Sequence, residues 1–137
     1  MHYAYIATPL AAWLAAGCLK FAVNCLRERR LAFDLIGYGG LPSNHSAIVS
    51  SMCTLIALRE GLQSPALGVA VTLAFIVLLD ATSLRKHIGR QAAAINKLGQ
   101  ETEGLPSLRE RMGHTPLEVA CGLAVGCAVG AAMSLPG

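Results

Sequence analysis

The chain has 137 residues, 54% of them hydrophobic and only 14% charged, with a mean hydropathy of +0.53. Soluble domains carry roughly a quarter charged residues, so this composition excludes a water-soluble monomer. The net charge of +3, from 11 Lys+Arg against 8 Asp+Glu, is too small a surplus to point to nucleic acid as a partner.

Long apolar runs separated by short basic segments predict an all-α integral membrane bundle of about four transmembrane helices, a single domain over residues 1–137. The first run opens at Thr8-Pro9, a cap followed by proline at the first helical position, and ends at Cys25-Leu26 before Arg27, Glu28, Arg29 and Arg30. Within it, Ala15-Ala16-Gly17-Cys18 looks like a lipoprotein cleavage box. No basic segment precedes that box, and cleavage there would remove most of a helix that continues past Cys18, so the run reads as a span. The second segment, about Asn44 to Leu58, is shorter and carries Ser46, Ser50, Ser51 and Thr54, as a short span or a re-entrant helix would. The third run starts at Ser64-Pro65 and continues to about Leu84, and the fourth starts at Thr115-Pro116 and continues to about Leu135. Between these two, Gln91 to Leu98 has helix-forming composition and Gly99 to Pro106 reads as a loop. Ser107 with Glu110 then makes a capping box for a short surface helix ending at Gly113. The five cysteines, Cys18, Cys25, Cys53, Cys121 and Cys127, lie inside apolar runs with no metal-like spacing and act as small hydrophobes.

If all four segments cross, Lys20, Arg27, Arg29, Arg30, Arg85, Lys86, Arg90, Lys97, Arg109 and Arg111 share one face and Arg59 stands on the other. The positive-inside rule then puts the basic face and its surface helices in the cytoplasm, with both termini outside, as expected of a bacterial inner-membrane protein.

Several polar groups fall within or beside the spans. Lys20, Asn24 and Arg27, at i, i+4 and i+7, form one stripe, read either as snorkelling to the headgroups or as a functional row. Gly39 to Ser46 is a flexible turn feeding a helix N-terminus, where an anion is favoured; the plainer reading has Ser43 or Asn44 as a cap and His45 at the interface. Asp80 is an intramembrane carboxylate, either functional or neutralised by Arg85 or Lys20. His114 and Glu118 are four apart at a helix start, so the carboxylate could hold one imidazole nitrogen, yet Thr115 and Glu118 also spell a capping box. The spacing of His45, His114 and Glu118 matches no recognised zinc pattern, and the sequence calls for neither a metal nor an organic cofactor. Gly122, Gly126 and Gly130 form a small-residue ridge for close helix packing, within the protomer or in a homodimer.

Together these segments resemble the type-2 phosphatidic acid phosphatase superfamily, and more closely its divergent bacterial and plastid branch. The matching stretches are Gly39 to Ala47, Asp80 with Arg85 and Lys86, Gly89 to Asn96, and Gly113 to Val119, in order along most of the chain. The resemblance implies hydrolysis of a phosphomonoester or diphosphate lipid through a phosphohistidine. His114 would be the nucleophile, Glu118 its orienting carboxylate and His45 the acid for the leaving oxygen. Lys20, Arg27, Ser43 and an arginine from Arg109 or Arg111 would hold the phosphoryl oxygens, with Asn24, Asp80 and Arg85 in support. The superfamily pattern is altered at Glu28, Asn44 and Glu118, and Leu108 stands where its arginine belongs, with Arg109 one residue late. Binding or translocation of a phosphorylated lipid without turnover is the alternative from the same cations. Four spans leave the site less enclosed than the superfamily's usual six, and a homodimer through Gly122, Gly126 and Gly130 would close it.

Overall fold

The computed structural model describes residues 3–31, 33, 40–99, 106–110 and 112–135, which form four helices. These are α1 (Ala4–Glu28), α2 (Asn44–Glu60), α3 (Pro65–Gly99, with a π-helical turn at Asp80–Leu84) and α4 (Pro116–Ser134). Among the described residues, α1, α3 and α4 are long and apolar enough to cross a membrane, whereas α2 has 17 residues.

The packing is inverted relative to a water-soluble bundle. The upper part of α3, Pro65–Leu79, buries no residue at all and exposes Val69, Leu73, Phe75 and Ile76, while α1 exposes Leu10, Trp13 and Leu14. Such all-round apolar helices suit lipid on the outside. The interior belongs to α2, the least apolar of the helices that make up the bundle, through Ser46, Ala47, Ser50, Ser51, Leu55 and Ile56. Lipid tails are as apolar as leucine, so helices associate through close backbone approach and interhelical hydrogen bonds. That is the use of the glycine ridge. A Cβ at Gly122 would strike the Ser43 carbonyl, one at Gly126 would strike Ser50 and the Ala47 carbonyl, and one at Gly130 the Ser51 carbonyl. Across the same seam the Ser50 hydroxyl donates to the Leu123 carbonyl at 3.2 Å. The ridge is thus filled by α2 of the same chain, the first of the two packings the sequence offers for it.

At one end of the bundle the Arg59 guanidinium donates to the Met133 carbonyl at 2.7 Å and lies 5.9 Å from the centre of the Tyr5 ring, joining the end of α2 to the start of α1 and the end of α4. The other end therefore gathers the end of α1, the start of α2, the middle of α3 and the start of α4.

Three sequence expectations are corrected. α1 begins at Ala4 rather than at Thr8-Pro9, because Thr8 is fully buried and its hydroxyl donates back to the Ala4 carbonyl at 2.7 Å instead of capping. α3 does not stop near Leu84 but runs on to Gly99 through the π turn, for 35 residues. At about 1.5 Å per residue that exceeds a bilayer core of about 30 Å, so its last turns extend beyond the apolar layer. Finally, Ser107 to Glu110 is not helical. Asn96 holds this stretch, donating to the Leu108 carbonyl at 2.7 Å and to the Glu110 carboxylate at 2.8 Å while accepting from the Leu108 N–H at 2.8 Å. One of those bonds takes the Glu110 carboxylate, which a capping box would have turned to the Ser107 N–H. Gly89 supplies the room, since any Cβ there would collide with the Glu110 carbonyl.

Candidate functional site

The start of α4 is built around one carboxylate oxygen. Gly113 turns the chain with φ 88°, a conformation that favours glycine, and stands against the backbone of Lys86 and the carbonyl of Ala81. The next residue, His114, donates its backbone N–H to the Ala81 carbonyl at 3.0 Å. Its side chain is 9% exposed, and Nδ1 lies 3.1 Å from Glu118 Oε2. That oxygen also accepts the Thr115 N–H at 3.0 Å, and Thr115 Oγ1 accepts the Glu118 N–H at 3.3 Å. Both readings of Glu118 therefore describe the same atom, which caps α4 and holds the imidazole. With Nδ1 turned to the carboxylate, Nε2 is the nitrogen left for other work.

The start of α2 is pinned beside it. Ser43 donates its N–H to the Glu118 carbonyl at 2.9 Å, and its buried hydroxyl accepts from the Ser46 N–H at 3.3 Å and the Ser46 hydroxyl at 3.0 Å. Ser43 is the N-cap of α2, so its oxygen is occupied by the fold. This leaves His45, in the first turn, with its ring centre 6.1 Å from that of His114 and the planes inclined at 56°. His45 is solvent-exposed, unlike its neighbour.

α1 contributes Lys20 and Asn24. Half-buried Lys20 lies within electrostatic reach of both Glu118 and His45. Buried Asn24 sits beside Gly40, whose Cβ, if present, would be 3.7 Å from Asn24 Oδ1. The third residue of this stripe, Arg27, is exposed in the last turn of α1, two turns from Lys20. Deeper in, the buried Asn44 Oδ1 has no hydrogen-bond partner.

α3 supplies the remaining charges. Arg85 Nε meets Asp80 Oδ2 at 2.9 Å across the π turn, and both act electrostatically on His45. The pairing offered for Asp80 from sequence is thus with Arg85 rather than Lys20. Arg109 lies in the exposed stretch clamped by Asn96, and Arg111 and Gly39 are outside the described residues. Among the described residues no group of three His, Cys, Asp or Glu side chains is placed to hold a metal ion.

Four long-range neighbours thus converge at the end of the bundle opposite Arg59: Lys20, His45, Asp80 with Arg85, and His114 with Glu118. Sequence reasoning missed the parts played by the Ala81 carbonyl, Gly113 and Asn96. A glycine directly before a histidine, and an asparagine in an otherwise alanine-rich helix, were the available signals.

No solved structure matches the chain. The uncharacterized membrane protein YuiD of Bacillus subtilis (strain 168) is 36% identical over 130 residues, covering 82% of this chain and 82% of that protein. The family described as the divergent PAP2 family matches residues 1–129, nearly the whole chain and all of the residues just described. With its histidines, acidic and basic groups gathered at one end of a membrane-type bundle, the chain belongs to the divergent PAP2 family.

Proposed function

We propose that this protein is a membrane lipid-phosphate phosphatase that hydrolyses a phosphomonoester or diphosphate lipid through a phosphohistidine at His114. The observation that carries the reading is the alignment of His114 Nδ1 on Glu118 Oε2 at 3.1 Å with the ring of His45 at 6.1 Å. His114 Nε2 attacks phosphorus, the bond to the lipid oxygen breaks, and that oxygen takes a proton from His45. Water, deprotonated by His45, then attacks the phosphohistidine, releasing inorganic phosphate and free His114. Glu118 stabilises the charge that develops on the imidazole, and Lys20 and neighbouring cations stabilise charge on the equatorial oxygens. In this reading α2 crosses inside a shell of three spans, and the basic end faces the cytoplasm, in line with the positive-inside rule.

Glu118 Oε2 also caps α4, which is what a chain that binds or translocates a phosphorylated lipid without turnover would retain. Phosphate release from a panel of lipid phosphates by the purified, detergent-solubilised protein, with no added metal, separates the two. The phosphatase reading expects release that disappears in His114→Asn. Undiminished lipid binding with no release from any substrate refutes it in favour of the binder.

A further inference from the structure

We propose that Arg85, held by Asp80 across the π turn, is the arginine that grips phosphoryl oxygens between His45 and His114, in place of the loop arginine. The inference rests on the reading of this cluster as a phosphoryl site and identifies a ligand for it.

Three features of α3 support the assignment. An α-helix places residues five apart on different faces, whereas a π turn bonds residue i+5 back to residue i. Here the Arg85 N–H donates to the Asp80 carbonyl, and the same turn brings the two side chains into their 2.9 Å contact. Because the carboxylate takes Nε, the two Nη groups stay without a partner among the described residues, and the pair is 36% exposed at both side chains. A guanidinium anchored in this way presents a planar pair of donors to an oxyanion. The second feature is position. The π turn holds the His114 loop directly, with Ala81 accepting the His114 N–H and Lys86 packed on Gly113, so Arg85 stands on the turn that carries His114 and within electrostatic reach of His45. Third, Arg109 is exposed, and the Leu108 backbone beside it is bonded to Asn96, eleven residues beyond Arg85 along α3, or about 16 Å of helix. An ion pair that served only to neutralise Asp80 would not need to sit on the turn that holds the His114 backbone.

The test compares Arg85→Gln, Arg85→Lys and Arg109→Gln in the full chain in detergent. It reads kcat/KM for phosphate release from dioleoyl phosphatidic acid and, separately, binding of inorganic phosphate by 31P NMR. Arg85→Gln is expected to lower kcat/KM about 100-fold, the scale of removing one transition-state donor, and to weaken phosphate binding, with a far larger loss than in Arg109→Gln. Arg85→Lys keeps the ion pair with Asp80 but lacks the fork, so it is expected to lose about tenfold with an unchanged Tm. That variant decides the matter if Arg85→Gln does not fold. Unchanged kcat/KM and phosphate binding in the Arg85 variants, or the large loss appearing in Arg109→Gln instead, would overturn the assignment. Should the wild type release no phosphate from any lipid while Arg85→Gln still weakens phosphate binding, the anion clamp stands and the phosphatase reading falls.

Discussion

Replacing Glu118 by glutamine separates its two roles, because one oxygen performs both. Glu118 Oε2 receives hydrogen bonds from His114 Nδ1 at 3.1 Å and from the Thr115 N–H at 3.0 Å. In Glu118→Gln the amide oxygen takes that position, since the amide NH2 would face two donors, and so the cap and the imidazole tautomer are kept. What is lost is the negative charge opposite an imidazole that becomes cationic in the reaction. Hydrogen bonds involving a charged partner contribute about 1.5–3 kcal/mol against about 0.5–1.5 for neutral ones. The difference of about 1–2 kcal/mol corresponds to a 5- to 30-fold slower phosphate release with Tm nearly unchanged. Glu118→Ala removes both bonds and leaves the donor of buried His114 unmet, so its Tm falls as well, by the equivalent of about 1–2 kcal/mol for a lost cap. The assay is initial-rate phosphate release in detergent beside a thermal unfolding scan of each variant. If Glu118→Gln releases phosphate at the wild-type rate while Glu118→Ala loses only stability, the carboxylate is a helix cap alone and the argument for an oriented His114 is wrong.

The other predictions concern the scaffold. Gly126→Ala places a methyl group against Ser50 and the Ala47 carbonyl, so α2 and α4 must separate; we expect destabilisation of about 2 kcal/mol, read as a lower apparent Tm, with no change in oligomeric state by size-exclusion chromatography. Dissociation of a dimer without loss of stability would show that the ridge faces a second copy. Asn96→Ala removes three hydrogen bonds from residues 106–110 that are all solvent-exposed, so the expected effect is faster amide exchange and faster tryptic cleavage after Arg109 at nearly constant Tm. Protection that persists in this variant would mean the stretch is held by other contacts.

Much of the architecture was readable in the amino-acid sequence, because a membrane imposes simple rules. Apolar length alone marks α1, α3 and α4 as spans. Pro65 and Pro116 mark true helix starts, since proline at the first helical position sacrifices no hydrogen bond, and the Thr115–Glu118 capping box forms as written. Local signals failed where another segment competed for the same groups. Thr8 found its own Ala4 carbonyl, and the backbone around Leu108 found Asn96, twelve residues earlier in the chain. Composition identified the residues of the candidate site, and the order of motifs identified the family, but neither said which of the basic residues stand together.

That selection came only from tertiary structure. On a helix lying in lipid, apolar residues occupy every face, so periodicity no longer tells which side meets protein. The partner is chosen by contacts distant in sequence: Ser43 on Glu118, Ala81 on His114, and the α2 carbonyls on the three glycines of α4. Those contacts set His45 against His114 and put the Asp80–Arg85 pair beside them, while Arg27 remains at the exposed end of α1. The sequence by itself determined that this is a helical membrane protein with histidines and basic residues to place at one face. Close backbone packing, which depends on the absence of side chains at Gly122, Gly126 and Gly130 rather than on any one-dimensional pattern, decided which of them share a site.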